Sequence, residues 1–465
     1  MSEDLERDLG LYSAVTLSMG AMIGGGIFVL PAVGYKKAGP AVIIAYLLAG
    51  LVVLPNALSK AEMATAIPED GGTYLYIDRA MGPLFGTIAG LGVWFSLVFK
   101  SSFALVGLGA YLLLLVSVPS GVVKVVALVL GGIVVVLNVG GTEQSGRAQA
   151  VIVGAVVLVL AAFVLDGATL GEPGQYDPLL TEGAGGVATA AAFVFVSYAG
   201  IGEVASVAEE VSNPGRNLPL AMLTSIAVMM VIYTAVVAVV VGIVGPDTLL
   251  HGGPNGGPSL TPMADGAGDL LGGVGVVVIA AAAILALTSM ANAGVLGSSR
   301  FLLAMGRDSL LPAPVRRIDR RFKTPRNAVL VTGVTLLALI AFVPVVDLAK
   351  LASAFLILVF TLENLAVVAF RETDVAFYDP IFTVPGYPLV QIVGVVGGVA
   401  LLTRMGLVPA LGAVGITAGG ALWYLVYGRP RTDRVGAITL YFRKRVGDGE
   451  ATDGVLALPE RKRGD

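Results

Sequence analysis

Twelve apolar stretches, each near the length a helix needs to cross a bilayer, dictate what this chain can become. A lipid hydrocarbon core takes about 20 apolar residues of α-helix, and no soluble interior of this size hides twelve of them. The stretches run over 12–33, 39–64, 83–115, 122–140, 148–165, 187–208, 220–244, 272–299, 327–346, 348–370, 388–405 and 407–427. Only a residue or two separates neighbours around Asp347 and around Met405-Gly406. Hydrophobic residues accordingly make up 56% of the 465 and charged residues 13%, about half the charged share of a soluble domain. Alternation in ten-residue units is absent, so an all-α membrane protein of twelve transmembrane helices is expected rather than a β-barrel.

A net charge of −3 gives no electrostatic footing for nucleic acid, and the absence of cysteine excludes a disulfide scaffold or a disulfide-linked subunit. With one histidine, His251, and no thiol, no metal centre is expected. His251 lies in a Gly/Pro-rich stretch, HGGPNGGP (251–258), which reads as a flexible connection. No nucleophile–base pair is visible, so an enzyme is not expected.

The opening MSEDLERDLG lacks a basic region and a small-residue cleavage site, so it does not read as a signal peptide. An even number of spans puts both termini on one side, and basic residues choose that side. Of 29 Lys and Arg, 23 fall on the side of the termini, seven of them between Arg307 and Arg326. Five fall opposite (Lys36, Lys37, Lys124, Lys350, Arg404), and Lys100 lies mid-span. Both termini, 1–11 and the hydrophilic tail 428–465, are expected in the cytoplasm of a cell-membrane protein. The tail carries RKR at 443–445 and 461–463 and reads as a solvated segment near anionic headgroups.

Glycine is abundant, 62 of 465 against about 7% in average proteins. The first span carries GAMIGGGIF, Gly20 to Phe28. Gly20 and Gly24 suit a close helix–helix seam, but that leaves the consecutive Gly24, Gly25 and Gly26 unexplained. Each glycine inside a helix costs about 1 kcal/mol relative to alanine. An unwound stretch would use them, because glycine tolerates the dihedrals and lets a ligand approach the backbone. Unwinding at membrane depth is tolerable only where the freed peptide groups line a cavity or bind something. The sixth span has a second candidate break at Ser197-Tyr198-Ala199-Gly200-Ile201-Gly202. Interrupted helices at matching places in two halves point to a secondary transporter of inverted-repeat design. Such breaks offer N–H groups to an anion and carbonyls to a cation, the two ends of a zwitterion.

Four strings then resemble, in order and spacing, those of the amino acid–polyamine–organocation permeases: GAMIGGGIF, PEDGGTYLY (68–76), AEEVSNPGRNLP (208–219) and GRDSLLP (306–312). The resemblance covers nearly the whole chain. It implies two inverted five-helix repeats of the LeuT type, 12–165 and 187–370, followed by two appended helices at 388–427. It also implies amino acid transport by alternating access, with the first and sixth helices unwound at mid-membrane. Carried over by motif, the amides of Gly24, Gly25 and Gly26 would hold the substrate carboxylate. Carbonyls near Met22 and Ile23 and from Ser197 to Gly200 would hold its amino group. Phe195 and Tyr198 are candidates for an aromatic gate, and Gly200 matches a glycine that leaves room for the substrate side chain. Arg216, in the third string, reads as part of an inner-gate or structural loop.

The eighth span contains ALTSMANAG, Ala286 to Gly294. By the same resemblance, Thr288 and Ser289 sit where sodium-coupled relatives place two hydroxyls, with carbonyls of Gly20, Ile23 and Leu285 completing the site. The plain alternative is that both hydroxyls bond carbonyls of their own helix. Many sodium-independent members place a lysine from the fifth span there; VIVGAVVLVLAAFVL here has no ionisable residue, so that helix is not expected to fill the site.

Lys100 at mid-depth calls for a partner, with Glu203 and Glu363 the acidic residues at comparable depth. An ion pair, a proton-linked switch and a fixed cation replacing the missing lysine all remain open. An ammonium facing the pocket favours neutral amino acids. Glu62 and Glu209-Glu210, near helix ends, read as structural. Coupling to Na+ or H+, or exchange, is expected, with no other cofactor. An amino acid sensor that kept the fold is the rival reading; rings of charge that would mark a channel are absent.

Overall fold

The structure, a computed structural model, describes residues 9–67, 71–116, 122–141, 146–205 and 211–446. Residues 68–70 of the second string, Glu209 and Glu210 of the third, the acidic N-terminus and the second RKR lie outside the described residues, as do the side chains of the first RKR.

All twelve apolar stretches are helical where described. In order they are Leu11–Met22 with Gly25–Phe28 and Leu30–Ala38, Val42–Ala66, Pro83–Leu115, Val123–Val139, Gly146–Gly167 and Gly183–Val194 with a 3-10 extension Phe195–Gly202. Then follow Pro214–Ile243, Pro262–Arg307, Arg326–Phe342, Val345–Thr373, Leu389–Arg404 and Leu407–Trp423. Eight helical segments are long and apolar enough to cross a membrane, and four shorter apolar helices accompany them. Among the described residues the only β pairing is an isolated bridge between Leu9 and Val211.

Three boundaries have local causes. The ninth span ends at Phe342 and the tenth begins at Val345, so the division falls at Val343-Pro344 rather than at Asp347. Proline lacks the N–H that would continue a helix, whereas Asp347 sits in the first turn of the tenth, where the helix field favours a carboxylate. Gly406 (φ 88°) separates the last two spans. In the 46-residue helix Pro262–Arg307, Gly272 (φ 59°, ψ −146°) breaks the helical path, which sets the start of the eighth span at the residue the hydropathy indicates.

The third and eighth spans pack along one another at the centre. The second packs against the seventh and the sixth, the first against the seventh and fifth, and the tenth against the third. The last two spans lean on the tenth. Large apolar side chains such as Val136, Leu158, Val231, Val274 and Val334 face outward, as a hydrocarbon solvent requires.

Two polar junctions close the face on which the terminal segments lie. Glu62, fully buried, accepts from two nitrogens of the Arg371 guanidinium (Nε and Nη2), from the Tyr378 hydroxyl (2.8 Å) and from the Val384 N–H (2.7 Å). It therefore fastens the end of the second span to the loop after the tenth, in line with its structural reading. In the second junction, strings two and four meet: Tyr74 donates to Asp308 at 2.7 Å. Arg434, beyond the last span, pairs with Asp308 at 2.6 Å and Asp78 at 3.4 Å. Gly82 and Gly436 let the two backbones touch there, since a Cβ on Gly436 would fall 2.3 Å from the Gly82 nitrogen.

Burial pushes the Asp78 carboxyl up to about 6, with the Arg434 and Arg79 guanidiniums opposing that rise. An unfolded aspartate titrates near pH 4, so the folded chain binds the extra proton between about pH 4 and 6. The contribution of Asp78 to stability is therefore complete below about pH 4 and lost as the pH rises through 6. Thermal unfolding in detergent across this window should show a negative slope with pH that flattens in Asp78→Asn; equal slopes in the two proteins would refute the assignment.

Candidate functional site: the two broken helices

The first helix ends at Met22, where the Ile23 N–H still reaches the Met19 carbonyl (2.8 Å) and Ile23 turns extended (ψ 114°). Gly24 is also extended (φ 170°, ψ −134°), and helix resumes at Gly25. A break of this kind strands carbonyls on one side and N–H groups on the other. Two of the freed carbonyls, those of Ala21 and Met22, and two just past the break, those of Gly26 and Phe28, are met by side chains from other spans. Lys100 donates to Ala21 O at 2.9 Å, Tyr233 to Met22 O at 2.7 Å, Tyr46 to Gly26 O at 2.5 Å and Tyr111 to Phe28 O at 2.7 Å. All four donors are buried.

The N–H groups are treated differently. That of Gly25 reaches only the Met290 thioether sulfur, at 3.1 Å, a weak acceptor. Among the described residues, those of Gly24 and Gly26 meet no protein acceptor. Beside them the Ser197 hydroxyl is buried without a hydrogen-bond partner, and a Cβ on Gly26 would lie 2.5 Å from it. Buried polar groups without partners each cost about 1–3 kcal/mol. Here donors of that kind converge on one spot.

The sixth helix tightens rather than unwinds. From Phe195 to Gly202 it is a 3-10 helix, and the Glu203 N–H reaches Gly200 O at 3.1 Å. Several groups expected to receive a substrate ammonium are already engaged: Tyr233 OH lies 2.7 Å from Met22 O and 3.1 Å from Ser197 O, bridging the two breaks. The Phe195 ring packs edge-on against Phe360 (5.7 Å), and the Tyr198 hydroxyl donates to Tyr46 O (2.9 Å). The groups that cover the first break come from elsewhere. Phe103 lies 2.6 Å from where a Gly25 Cβ would stand, and Met290 2.2 Å from a Gly24 Cβ. Apolar spacing gives Phe103 and Met290 no mark that separates them from ordinary core residues.

The expected cation ligands do not all converge. Gly20, Ile23 and Ser289 line one small cleft, but Thr288 and the Leu285 side chain are exposed on another face of the helix. Thr288 and Ser289 are neighbours, so a continuous helix turns their hydroxyls about 100° apart. The Ser289 hydroxyl donates to Gln149 Oε1 at 2.7 Å, and a Cβ on Gly20 would fall 2.1 Å from Gln149 Nε2. The fifth span therefore does reach this cleft, through the uncharged amide of Gln149, two residues ahead of VIVGAVVLVLAAFVL.

The buried charges pair differently from the expectation as well. Glu363 does not reach Lys100; it pairs with Lys60 at 3.0 Å. Lys60 lies in the second span and is one of the 23 basic residues on the side of the termini. Lys100 caps the Ala21 carbonyl and lies in the field of Glu203, which also senses Arg300. Arg216 falls in the first turn of the seventh helix, away from the breaks.

Gly200 has a firm geometric role. A Cβ there would fall 2.4 Å from the Ala21 carbonyl carbon and 2.5 Å from the Met22 nitrogen, both backbone atoms that cannot step aside. Its bareness brings the two broken helices into contact, rather than leaving room for a substrate side chain in this conformation. Gly200→Ala should lower the melting temperature in detergent by several degrees, since overpacking of this kind costs about 1–3 kcal/mol. An unchanged melting temperature would show that the two backbones can separate freely.

The amino acid permease family profile matches residues 9–428. The branched-chain amino acid permease of Bacillus subtilis is 29% identical, over 92% of this chain and 94% of its own length. The methylthioribose transporter of Bacillus subtilis is also 29% identical, over 92% of this chain and 95% of its own. An uncharacterized transporter of Mycobacterium tuberculosis is 31% identical over 73% of this chain and 74% of its length. With a broken first helix, outward-facing apolar spans and a profile that runs from the first described helix to the end of the last span, the chain belongs to the amino acid permease family: a multi-pass cell-membrane transporter and not an enzyme.

Proposed function

We propose that this permease carries small neutral amino acids across the cell membrane by alternating access, with both termini in the cytoplasm. The observation that carries the reading is the asymmetry at the first break. The carbonyls of Ala21, Met22, Gly26 and Phe28 are met by Lys100, Tyr233, Tyr46 and Tyr111, while the N–H groups of Gly24, Gly25 and Gly26 and the Ser197 hydroxyl are short of acceptors. A buried cluster of donors without acceptors is a receptor for an anion of carboxylate size. Phe103 and Met290 stand over that cluster, which supplies apolar contact for an aliphatic side chain. The branched-chain permease among its relatives is in keeping with such a substrate. The methylthioribose transporter is equally similar, but a thiosugar brings no carboxylate to the donors.

The reading includes twelve membrane crossings, with spans one to five and six to ten as inverted repeats. Support comes from which helices pack together. Exchanging each span for the one five places away turns the first–fifth contact into sixth–tenth, fifth–eighth into tenth–third, and first–seventh into sixth–second, and all of these pack. The third–eighth, second–seventh and fourth–ninth pairs map onto themselves. The cytoplasmic placement of the termini rests on the 23-to-5 partition of basic residues.

The proposed coupling does not use sodium. Gln149 stands in the cleft where Gly20, Ile23 and Ser289 would bind it, and Lys100 already places a positive charge on the first half-helix. A proton-linked step or exchange through Lys100 and Glu203 fits these charges.

In proteoliposomes, radiolabelled leucine should accumulate or exchange, with arginine and methylthioribose poor competitors. Binding without flux would instead make the protein a sensor. Gly25→Val should insert normally and lose leucine binding, because the added carbons occupy the carboxylate's place; wild-type affinity in that variant would remove the assignment. Replacing sodium by potassium should leave leucine uptake within about twofold, and sodium-dependent uptake by the wild type would overturn the role given to Gln149.

A further inference from the structure

Among the described residues, Lys60–Glu363 is the ion pair with both partners buried, and the substrate site does not use it. Lys60 Nζ lies 3.0 Å from Glu363 Oε1, with side-chain exposures of 2% and 0%. Its surroundings tie four elements together. Lys60 donates to Thr73 in the helix after the second span (3.0 Å), stands 5.0 Å over the Phe360 ring of the tenth, and would meet a Cβ on Gly202 of the sixth at 2.8 Å. Asn56 donates to the other Glu363 oxygen at 2.5 Å. Phe360 is also the ring against which Phe195 packs. The pair thus lies at the foot of the sixth-helix break, between the substrate site and the face shared by the terminal segments.

We infer that Lys60 and Glu363 form a reversible latch that closes this face while leaving it able to reopen; the inference rests on the transporter reading above. The physical case turns on hydration. Two charges brought out of water lose several kcal/mol each in solvation, and their mutual attraction roughly returns it. Apolar residues in the same place carry no such penalty, so a closed state sealed by them would be deeper. When the face opens and water enters, the ammonium and carboxylate recover their hydration, whereas apolar groups lose by exposure. The ion pair therefore fixes which elements meet without making their separation slow. Removing one partner has the opposite effect, because closing would then bury an unpaired charge.

The two kinds of substitution consequently push in opposite directions, which a merely structural contact would not do. The chain has no cysteine, so Ala199→Cys, between the breaks, gives a single reporter thiol. Its labelling by a membrane-impermeant maleimide is to be measured in vesicles exposing the face of the terminal segments. Glu363→Gln should label about tenfold faster or more than the reporter alone. Lys60→Met combined with Glu363→Leu should label more slowly than the reporter alone, with a raised melting temperature and a lower leucine turnover number. Should Glu363→Gln fail to fold, the double variant decides by itself. Labelling of the double variant at or above the reporter's rate overturns the latch. Absence of leucine flux in every protein, with the labelling order preserved, would leave the latch standing and refute the proposed aliphatic amino acid substrate.

Discussion

The fold turns on how the stranded carbonyls of the first helix are capped. In hydrocarbon a free peptide carbonyl costs several kcal/mol, so a helix cannot be interrupted at mid-depth unless other spans deliver donors to the gap. Lys100 from the third span, Tyr233 from the seventh, Tyr46 from the second and Tyr111 from the third do so. Each donor also fixes the helix that bears it, because a hydroxyl or ammonium within 3 Å of a backbone oxygen leaves little freedom in rotation or register. The break is thus the centre from which the neighbouring helices are placed, as well as the place where a ligand is expected.

The same capping sorts the chemistry of the gap. With the Ala21 and Met22 carbonyls engaged and the Gly24 and Gly26 N–H groups left over, the gap has a polarity that favours negative charge. Met290 lends its sulfur to one of those donors, and a thioether on a flexible stem is easily displaced. A side chain of this kind keeps the gap filled in the absence of a carboxylate without competing strongly for it.

Much of this was legible in the chain, and the parts that were not share a cause. Apolar run length located the helices to within a few residues at most ends, and Gly24-Gly25-Gly26 marked the first break because consecutive glycines have no other use inside a membrane helix. Pairings across the bundle were hidden. In the sequence Lys60 is only one of 23 basic residues on the side of the termini, Gln149 carries no charge to mark it, and Glu363 shares with Lys100 nothing but depth. Depth along a span is written in one dimension, whereas partnership depends on the angle each residue takes about its helix and on which helices adjoin. Thr288 and Ser289 show the same limit, since adjacent residues on an unbroken helix look in different directions and only Ser289 turns toward Gln149. The tightening of the sixth helix into a 3-10 turn was likewise unreadable, because glycine and serine permit either outcome.

Tyr233 spans both interruptions with a single hydroxyl, while Tyr198 and Tyr46 stitch the sixth and first helices to the second. With the bare Gly200 backbone wedged against Ala21 and Met22, these contacts hold the first, second, sixth and seventh helices to one another. At the gap itself the third and eighth helices reach this group through the tip of Lys100, the Tyr111 hydroxyl and the sulfur of Met290, of which Lys100 and Met290 are the longest and most pliant side chains. Long unbranched side chains of this kind change rotamer readily, so their contacts can shift while the backbone contacts among those four helices stay made.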